Sequence, residues 1–322
     1  MPPPVYHRFL DGAYALSDRV EMIHPARFLF NAGSTPKAWN EKMLADPHLK
    51  VELYEPDSDK IFPGTDIKGG IAITYRDATQ NFGAIGTFTY FDELISIQKK
   101  ICEQATFQSL AEIVFTAYAY HFTEVLYQEY PELRGRLSKG HDYDLKANAF
   151  ARLPEVFLEQ KPKDGKEYIQ IYGRLRGDRA FRWIRKDYVN EPSNLCRWKL
   201  FVPAANGSGA LGEALSSPIV GEPIIGATET FLSIGSFDTR AEAEACLKYV
   251  KTKFARAMLG ILKITQNGSP ETWSMVPLQD FTSGSDIDWG QSVAEIDRQL
   301  YKKYGLSGEE VAFIESKVEE MA

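Results

Sequence analysis

The sequence predicts a mixed fold: an α/β sheet over about the first 95 residues, a helical stretch, and an α+β region that begins near residue 160. Strand-like and helix-like segments alternate in the first part. In the second part, short runs rich in aromatic residues are separated by Gly, Asn, Ser and Pro before helical patterns return. With 322 residues, the chain is long enough for two domains that each bury a core.

Each element of the first part has a local signal. Residues 20–30, VEMIHPARFLF, predict a buried strand interrupted by Pro25, and residues 36–45 predict a helix. The runs KVELYEP and GGIAITYRD predict two further strands around a loop rich in Gly and Pro. Between residues 90 and 130 apolar side chains recur every three or four positions, which predicts a helical connector.

The second part is predicted to begin with strands and end with helices. The strands are YIQIYGRL, AFRWI and WKLFVP. Thr239 and Glu242 have the spacing of a capping box, and they predict one helix that continues to Ile261. Two more helices are expected over SVAEIDRQLYKKY and GEEVAFIESKVEEM, the second with a capping box of Ser307 and Glu310.

Composition limits the classes of function. No apolar run approaches the roughly 18 residues of a membrane span, and the first residues lack the pattern of a signal peptide, so we expect a cytoplasmic protein that does not bind membranes. The three cysteines and five histidines lack metal-ligand spacing, which predicts no metal site. A net charge of −7 argues against general binding of polyanions, so any nucleic-acid surface must be local.

One basic segment is the candidate for such a surface. Between residues 168 and 199 eight Lys and Arg side chains accompany three acidic ones, with aromatic residues interleaved. Arginines can contact phosphates or base edges, and aromatic rings supply apolar contacts. The alternative is an exposed strand whose charges keep an edge soluble. The predicted DNA-binding residues, with two neighbouring polar loops included, are Arg174, Arg176, Arg179, Arg182, Arg185, Lys186, Asn206 and Thr228.

Within that segment, the alternation of a strand places Arg174 and Arg176 on one face. Arg179, Arg182 and Arg185 follow a turn and need not all join them.

Two further patterns have weaker functional interpretations. Gly207, Gly209 and Gly212 have the spacing of a dinucleotide-binding loop, but prolines follow where that loop needs a helix, so a surface loop is favoured. Glu159 and Lys161 have the Glu-x-Lys arrangement of many nucleases, with Asp142 and Asp144 upstream as candidate magnesium ligands. Short patterns of this kind are common, and solvated charge is the favoured interpretation.

Longer segments resemble the adenine-specific DNA methyltransferases of the fused type II restriction-modification kind. Residues 11–33 and 39–77 are similar to the part of the catalytic domain that follows its Asn-Pro-Pro-Tyr motif. Later segments resemble the target-recognition domain and tail of the same family, namely WKLFVPAANGSGALGE, GEPIIGATETFLSIGSFDT, LKYVKTKFARAMLGILK and VPLQDFTSGSDIDWGQSVAEIDRQLYKKYGL.

The resemblance implies a domain plan. Residues 1–95 would be the carboxyl-terminal part of the methyltransferase sheet, and 96–159 a helical connector. Residues 160–285 would form an α+β target-recognition domain for double-stranded DNA, and 286–322 the terminal helices. By the same resemblance, Phe62 in DKIFPG would stack on the flipped adenine, with ordinary core packing as its alternative.

Two family motifs are absent from the 322 residues, the Phe-x-Gly-x-Gly loop for S-adenosylmethionine and Asn-Pro-Pro-Tyr. We therefore expect the cofactor only in the complete enzyme, with an amino-terminal methyltransferase half or catalytic subunit as partner, and no methylation by this chain alone. An incomplete sheet near residues 20–75 should leave an apolar edge exposed and favour self-association. The rival functions are a DNA-specificity subunit without catalytic residues and a magnesium-dependent nuclease.

Overall fold

A computed structural model describes residues 4–31 and 35–321. Its contacts divide the chain into two compact units, Met1–Ile95 and Ser96–Ala322. Both units mix helices with small sheets, so the predicted combination of helices and strands is confirmed at that level. None of the helices in the described ranges has the length and apolar character needed to cross a membrane.

The first unit contains one three-stranded antiparallel sheet. The strands are β1 (Arg19–Pro25), β2 (Leu49–Glu55) and β3 (Ile71–Asp77), and β3 lies in the centre. The helices of this unit are α1 (Tyr6–Leu16) and α2 (Lys37–Leu44). Their apolar sides meet the sheet in a core that consists of Leu10, Ala26, Phe28, Leu29, Trp39, Met43, Leu49 and Ala72.

The strand predicted over residues 20–30 ends at Pro25, as expected, but it is not buried throughout. β1 alternates between covered and exposed side chains because it is an edge strand with one covered face. Ile23 on β1 and Leu53 on β2 are 45% and 43% exposed, and both lie opposite Ile73 of β3. This apolar row lies in the region where an exposed apolar edge was predicted, while self-association stays a prediction.

The helical stretch expected between residues 90 and 130 is interrupted. α3 (Asp92–Cys102) forms, but a 3-10 turn and the short strand β4 (Val114–Phe115) replace the second half. The cause is pairing with distant backbone: the amide of Leu110 donates to the carbonyl of Val276, and β4 pairs with a strand near residue 234. A helix returns only at α4 (Glu124–Glu129), followed by the short α5 (Ala149–Arg152).

Two small sheets form the strand-rich part of the second unit. The predicted runs become β5 (Tyr168–Leu175), β6 (Asp178–Arg185) and β7 (Trp198–Pro203). They are joined by β8 (Ile219–Gly221), β9 (Ile225–Ala227) and β10 (Phe231–Phe237). One sheet has the order β4-β10-β7-β8 and the other β6-β5-β9, where β5 and β9 run parallel.

A buried lysine lies between these two sheets. Lys199 on β7 is completely buried, and its ammonium donates to the carbonyls of Leu195 and Ile225, each at 2.9 Å. Ile225 belongs to β9, so the side chain ties one sheet to the other. Burial lowers the pKa of Lys199 to about 7, because the charged form loses its hydration.

The helix predicted from Thr239 to Ile261 is two helices, α6 (Arg240–Lys251) and α7 (Lys253–Leu262). Thr252 is extended, and its hydroxyl caps α7 by accepting the amide of Ala255. The carboxylate of Asp297 accepts the amides of Lys253 and Phe254, and burial raises the pKa of Asp297 to about 6. A partner 44 residues away therefore stabilises the break.

The two terminal helices form as predicted. α8 (Val293–Lys303) begins at Ser292, whose hydroxyl accepts the amide of Glu295. α9 (Gly308–Lys317) begins with the expected capping box of Ser307 and Glu310. Asp297, which caps α7, lies on α8, so this pair of helices also supports the preceding one.

Candidate nucleic-acid interface

The predicted basic segment forms a β-hairpin whose turn contains only Arg176 and Gly177. Their φ angles are +53° and +94°, and two positive φ values are typical of the tight hairpin turns that favour Asn-Gly. The prediction that Arg174 and Arg176 share a strand face is wrong, because β5 ends at Leu175 and Arg176 belongs to the turn. Arg176 is exposed at the tip of the hairpin.

Arg174 and Arg179 lie directly opposite each other on the two strands. Two like charges in this position repel each other, so each guanidinium needs other contacts to hold it. Arg179 is satisfied by backbone, since its guanidinium donates to the carbonyls of Ser216 and Ser217 at 2.5 and 2.6 Å. Arg174 is exposed and has no hydrogen-bond or ion-pair partner among the described residues.

Three of the predicted DNA-binding residues form ion pairs with acidic side chains of the same chain. Arg182 lies on the opposite face from Arg174 and contacts Glu159 at 3.2 Å. Lys186 contacts Glu191 at 3.3 Å. The Arg185 guanidinium is only 13% exposed, and hydrogen bonds to Asp187 and Glu129 raise its pKa further.

Binding of DNA by Arg182, Arg185 and Lys186 stays a prediction, and each of the three is held in an ion pair. Their charges are compensated locally, so DNA would have to displace an existing carboxylate before it could bind them. Arg174 and Arg176 are the two basic side chains of the hairpin to which the described residues offer neither a hydrogen bond nor an ion pair.

The structure contradicts the prediction that Asn206 and Thr228 contact DNA, because both residues are buried. The side-chain amide of Asn206 donates to the carbonyl of Ala214 and accepts the amide of Ser216, so both of its ends are used within the loop. Thr228 is 1% exposed, and its hydroxyl donates to that of Thr230. Both residues hold loops in shape and cannot contact DNA directly.

The loops that they shape meet the hairpin at a cleft of about 580 Å³. β5 and β6 contribute Arg174 and Arg179, and the loop after Asn206 contributes Ser216. The loop after Thr228 contributes Glu229, Thr230 and Phe231. Arginine, carboxylate, amide and aromatic groups therefore share one surface, whose lining is completed by Ala117, Tyr118, Ala147, Pro203, Ala204, Ala205, Asn267 and Gly268.

An ion-paired lysine lies beside this cleft. The ammonium of Lys146 is 2.9 Å from Glu229 and 3.3 Å from Asp144, and it lies 5.3 Å from the ring centre of Tyr118. Although partial burial opposes the shift, the carboxylate of Glu229 raises the pKa of Lys146. Glu229 also accepts the amide of Ala147, so its negative charge is compensated on two sides.

Sequence reasoning missed Tyr118 and Asn267 as members of this surface. Tyr118 is 53% exposed, and Asn267 is exposed with a side-chain amide that bonds to no described residue. Tyr118 lies in the stretch for which a helix was predicted, so no sequence signal indicated that it would line a cleft. The Asn-Gly dipeptide at 267–268 was an available signal, since it marks a turn at which a polar side chain is presented to solvent.

The glycine-rich loop does not provide an anion site. No helix follows Gly212 directly, and the carboxylate of Glu213 already accepts the amides of Ser208 and Gly209 at 2.9 and 3.0 Å. Although burial opposes the shift, these hydrogen bonds hold the pKa of Glu213 below its usual range. The chain's own carboxylate fills the position that a phosphate would need, so we assign no cofactor role to Gly207, Gly209 or Gly212.

The nuclease residues are engaged in other contacts. Glu159 pairs with Arg182, and the ammonium of Lys161 lies over the Trp183 ring. Asp142 accepts the amide of Gly135. Within residues 4–31 and 35–321, no group of three or more His, Cys, Asp or Glu side chains could hold a metal ion.

Phe62 lies in the turn after β2, within the first unit. Its ring is 41% exposed, so ordinary core packing, the alternative considered for it, does not describe this side chain. The backbone amide of Phe62 donates to Ser58, and its carbonyl accepts from Thr65, which fixes the turn while the ring stays accessible. Stacking on a flipped base stays a prediction.

The cleft brings together the guanidinium of Arg174, the side-chain amide of Asn267 and the ring of Tyr118. These groups bind phosphates, base edges and base faces respectively. No protein-family model matches the chain, and no curated protein sequence matches it significantly.

Proposed function

We propose that the chain is the DNA-recognition part of a site-specific N6-adenine DNA methyltransferase of a restriction-modification system. The observation that carries the proposal is the cleft of the second unit, where Arg174 of a rigid hairpin meets two loops and the free amide of Asn267. The family resemblance of the sequence supplies the enzyme class, and the cleft supplies the binding chemistry.

Each group has a defined role in this proposal. Arg174 and Arg176 bind phosphates or the acceptor pair of a guanine, as exposed guanidinium groups do in the major groove. Asn267 presents a donor and an acceptor together, which suits the paired acceptor and donor of an adenine edge. Arg179 acts as a positioning residue because its guanidinium holds the carbonyls of Ser216 and Ser217 at the edge of the cleft.

Methyl transfer is assigned to a partner that supplies the S-adenosylmethionine site and the Asn-Pro-Pro-Tyr motif. In the complete enzyme this cofactor supplies the methyl group. This chain contributes the exposed ring of Phe62, a platform for the face of an extruded adenine. The rival function, a specificity subunit without catalytic residues, differs only in whether residues 1–95 complete an active site. A nuclease is not proposed, because its candidate acids are engaged elsewhere.

The test is DNA binding by single arginine variants. A pool of duplexes with a randomised core is selected on the chain, and the affinity for an enriched duplex is then measured at several salt concentrations. Arg174→Ala should weaken binding by about 5-fold to 100-fold if it contacts a guanine, or lower the salt slope by about 1 if it contacts a phosphate.

Arg240→Ala is the matched control. Arg240 is an exposed arginine at the start of α6 that pairs with Glu244, so its removal should leave affinity and salt slope unchanged. If Arg174→Ala and Arg176→Ala also leave both quantities unchanged, the hairpin is a solvated edge and the proposal is wrong.

A further inference from the structure

The cleft has the size of a small-molecule site and cannot enclose a duplex. About 580 Å³ lies within the range of roughly 300 to 1,000 Å³ that is typical of pockets for small ligands. A single nucleotide is a ligand of that size. A duplex can therefore contact the rim, whereas the interior is available only to a group that leaves the helix.

The interior offers an aromatic platform. Tyr118 lines the cleft with about half of its side-chain surface exposed, and the Lys146 ammonium over its ring helps to orient it. Lys146 is itself held by Asp144 and Glu229, so the ammonium over one face of the ring has little freedom. A ring fixed in this way can stack on the face of any base, because every base has a π face.

The same cleft contains an available cation. The guanidinium of Arg179 is committed to two backbone carbonyls, but Arg174 beside it has no partner among the residues that the structure describes. A phosphate that enters the cleft therefore meets Arg174. Asn267 completes the set with an amide that can hydrogen-bond to a base edge.

We propose that this cleft binds one nucleotide whose base has left the helical stack, with the base on Tyr118 and its phosphate at Arg174. The inference rests on the proposed DNA-binding function and adds a site within Ser96–Ala322 that uses no residue of the first unit. In this proposal Tyr118 and Arg174 bind an unpaired nucleotide. That nucleotide is separate from the adenine that is assigned to Phe62.

The experiment compares two probes that differ by one unpaired nucleotide. One is the enriched duplex from the selection, labelled with a fluorophore and carrying a single-nucleotide bulge, and the other is the same labelled duplex without the bulge. Binding of each to the full chain is followed by anisotropy. The parent chain should bind the bulged duplex at least about 5-fold more tightly, since stacking of one base on an aromatic ring has this effect or a larger one.

The variants separate stacking from general affinity. Tyr118→Ala should abolish the preference for the bulge, which is the ratio of the two affinities, whereas Tyr118→Phe should retain it. Phe9 is a different exposed aromatic residue, on α1, and Phe9→Ala should change neither the affinity for the bulged duplex nor that for the continuous duplex. Equal binding of the two probes by the parent chain, or a preference that survives in Tyr118→Ala, overturns the inference and leaves the proposed function intact. Failure to bind either probe overturns the proposed function itself.

Discussion

Replacing Arg176 with Asn should stabilise the protein, because the turn of the β5–β6 hairpin forces an arginine into a left-handed conformation. A positive φ costs a residue other than glycine about 1 to 2 kcal/mol, and asparagine tolerates it best among the other residues. Arg176 is exposed and has no partner in the described part of the chain, so its removal loses no contact. The expected gain is about 1 kcal/mol, which raises Tm by roughly 2 to 4 °C for a unit of this size.

Urea denaturation of the intact chain measures the change, and Gly177→Ala provides the opposite control. A Cβ at Gly177 would meet no atom within 4 Å, so only the φ angle of +94° opposes it. This variant should lose about 1 kcal/mol or more. If Arg176→Asn is no more stable than the parent while Gly177→Ala is destabilised, the claim that Arg176 holds strain is refuted. A loss of DNA affinity in the stabilised variant would show that the guanidinium group of Arg176 binds DNA, which would explain why an arginine occupies this strained position.

Two further predictions concern residues away from the hairpin. Ile224 follows Pro223 in a turn and has a φ of +61°, a conformation that a β-branched residue rarely adopts, so Ile224→Gly should raise the free energy of unfolding by about 1 kcal/mol in a urea titration. The pKa of Lys199 is about 7 in the folded protein and 10.5 in the unfolded chain. Between pH 7 and pH 10.5 the unfolded chain therefore binds more protons than the folded protein, so the free energy of unfolding rises with pH. The stability of the parent relative to Lys199→Met should therefore increase by about 2 kcal/mol from about pH 7 to about pH 9. A difference that does not change with pH would contradict a buried lysine that titrates in this range.

Local signals in the sequence predicted local structure well. The strands of the hairpin, the starts of α6 and α9, and the loop character of the segment around Gly209 all depend on neighbours within a few residues. The prediction of one long helix over 239–261 was wrong because the break in it depends partly on a residue far away in the sequence. The cap at Thr252 is a local signal, but the distant carboxylate of Asp297 also stabilises the break at this position.

The candidate site could be predicted only in part. Periodicity placed arginines on the hairpin, but it could not show that Arg182 and Arg185 would meet acids from other segments. The residues that form the cleft come from positions as far apart as Tyr118, Arg174 and Asn267. Nothing in a local pattern brings these together, because their proximity results from the packing of two sheets and the loops between them.

The ion pairs that occupy Arg182, Arg185 and Lys186 have a consequence for how such a protein would search for its site. Every basic side chain that is neutralised internally releases no counterions when DNA approaches, and counterion release is the main source of affinity for random DNA. Three hairpin arginines, Arg174, Arg176 and Arg179, have no acidic partner among the described residues. With so few uncompensated charges there and a net charge of −7, we expect short residence on noncognate DNA and little sliding along it. The search would then proceed by repeated encounters from solution, and discrimination would depend on the lifetime of the complex at the correct sequence.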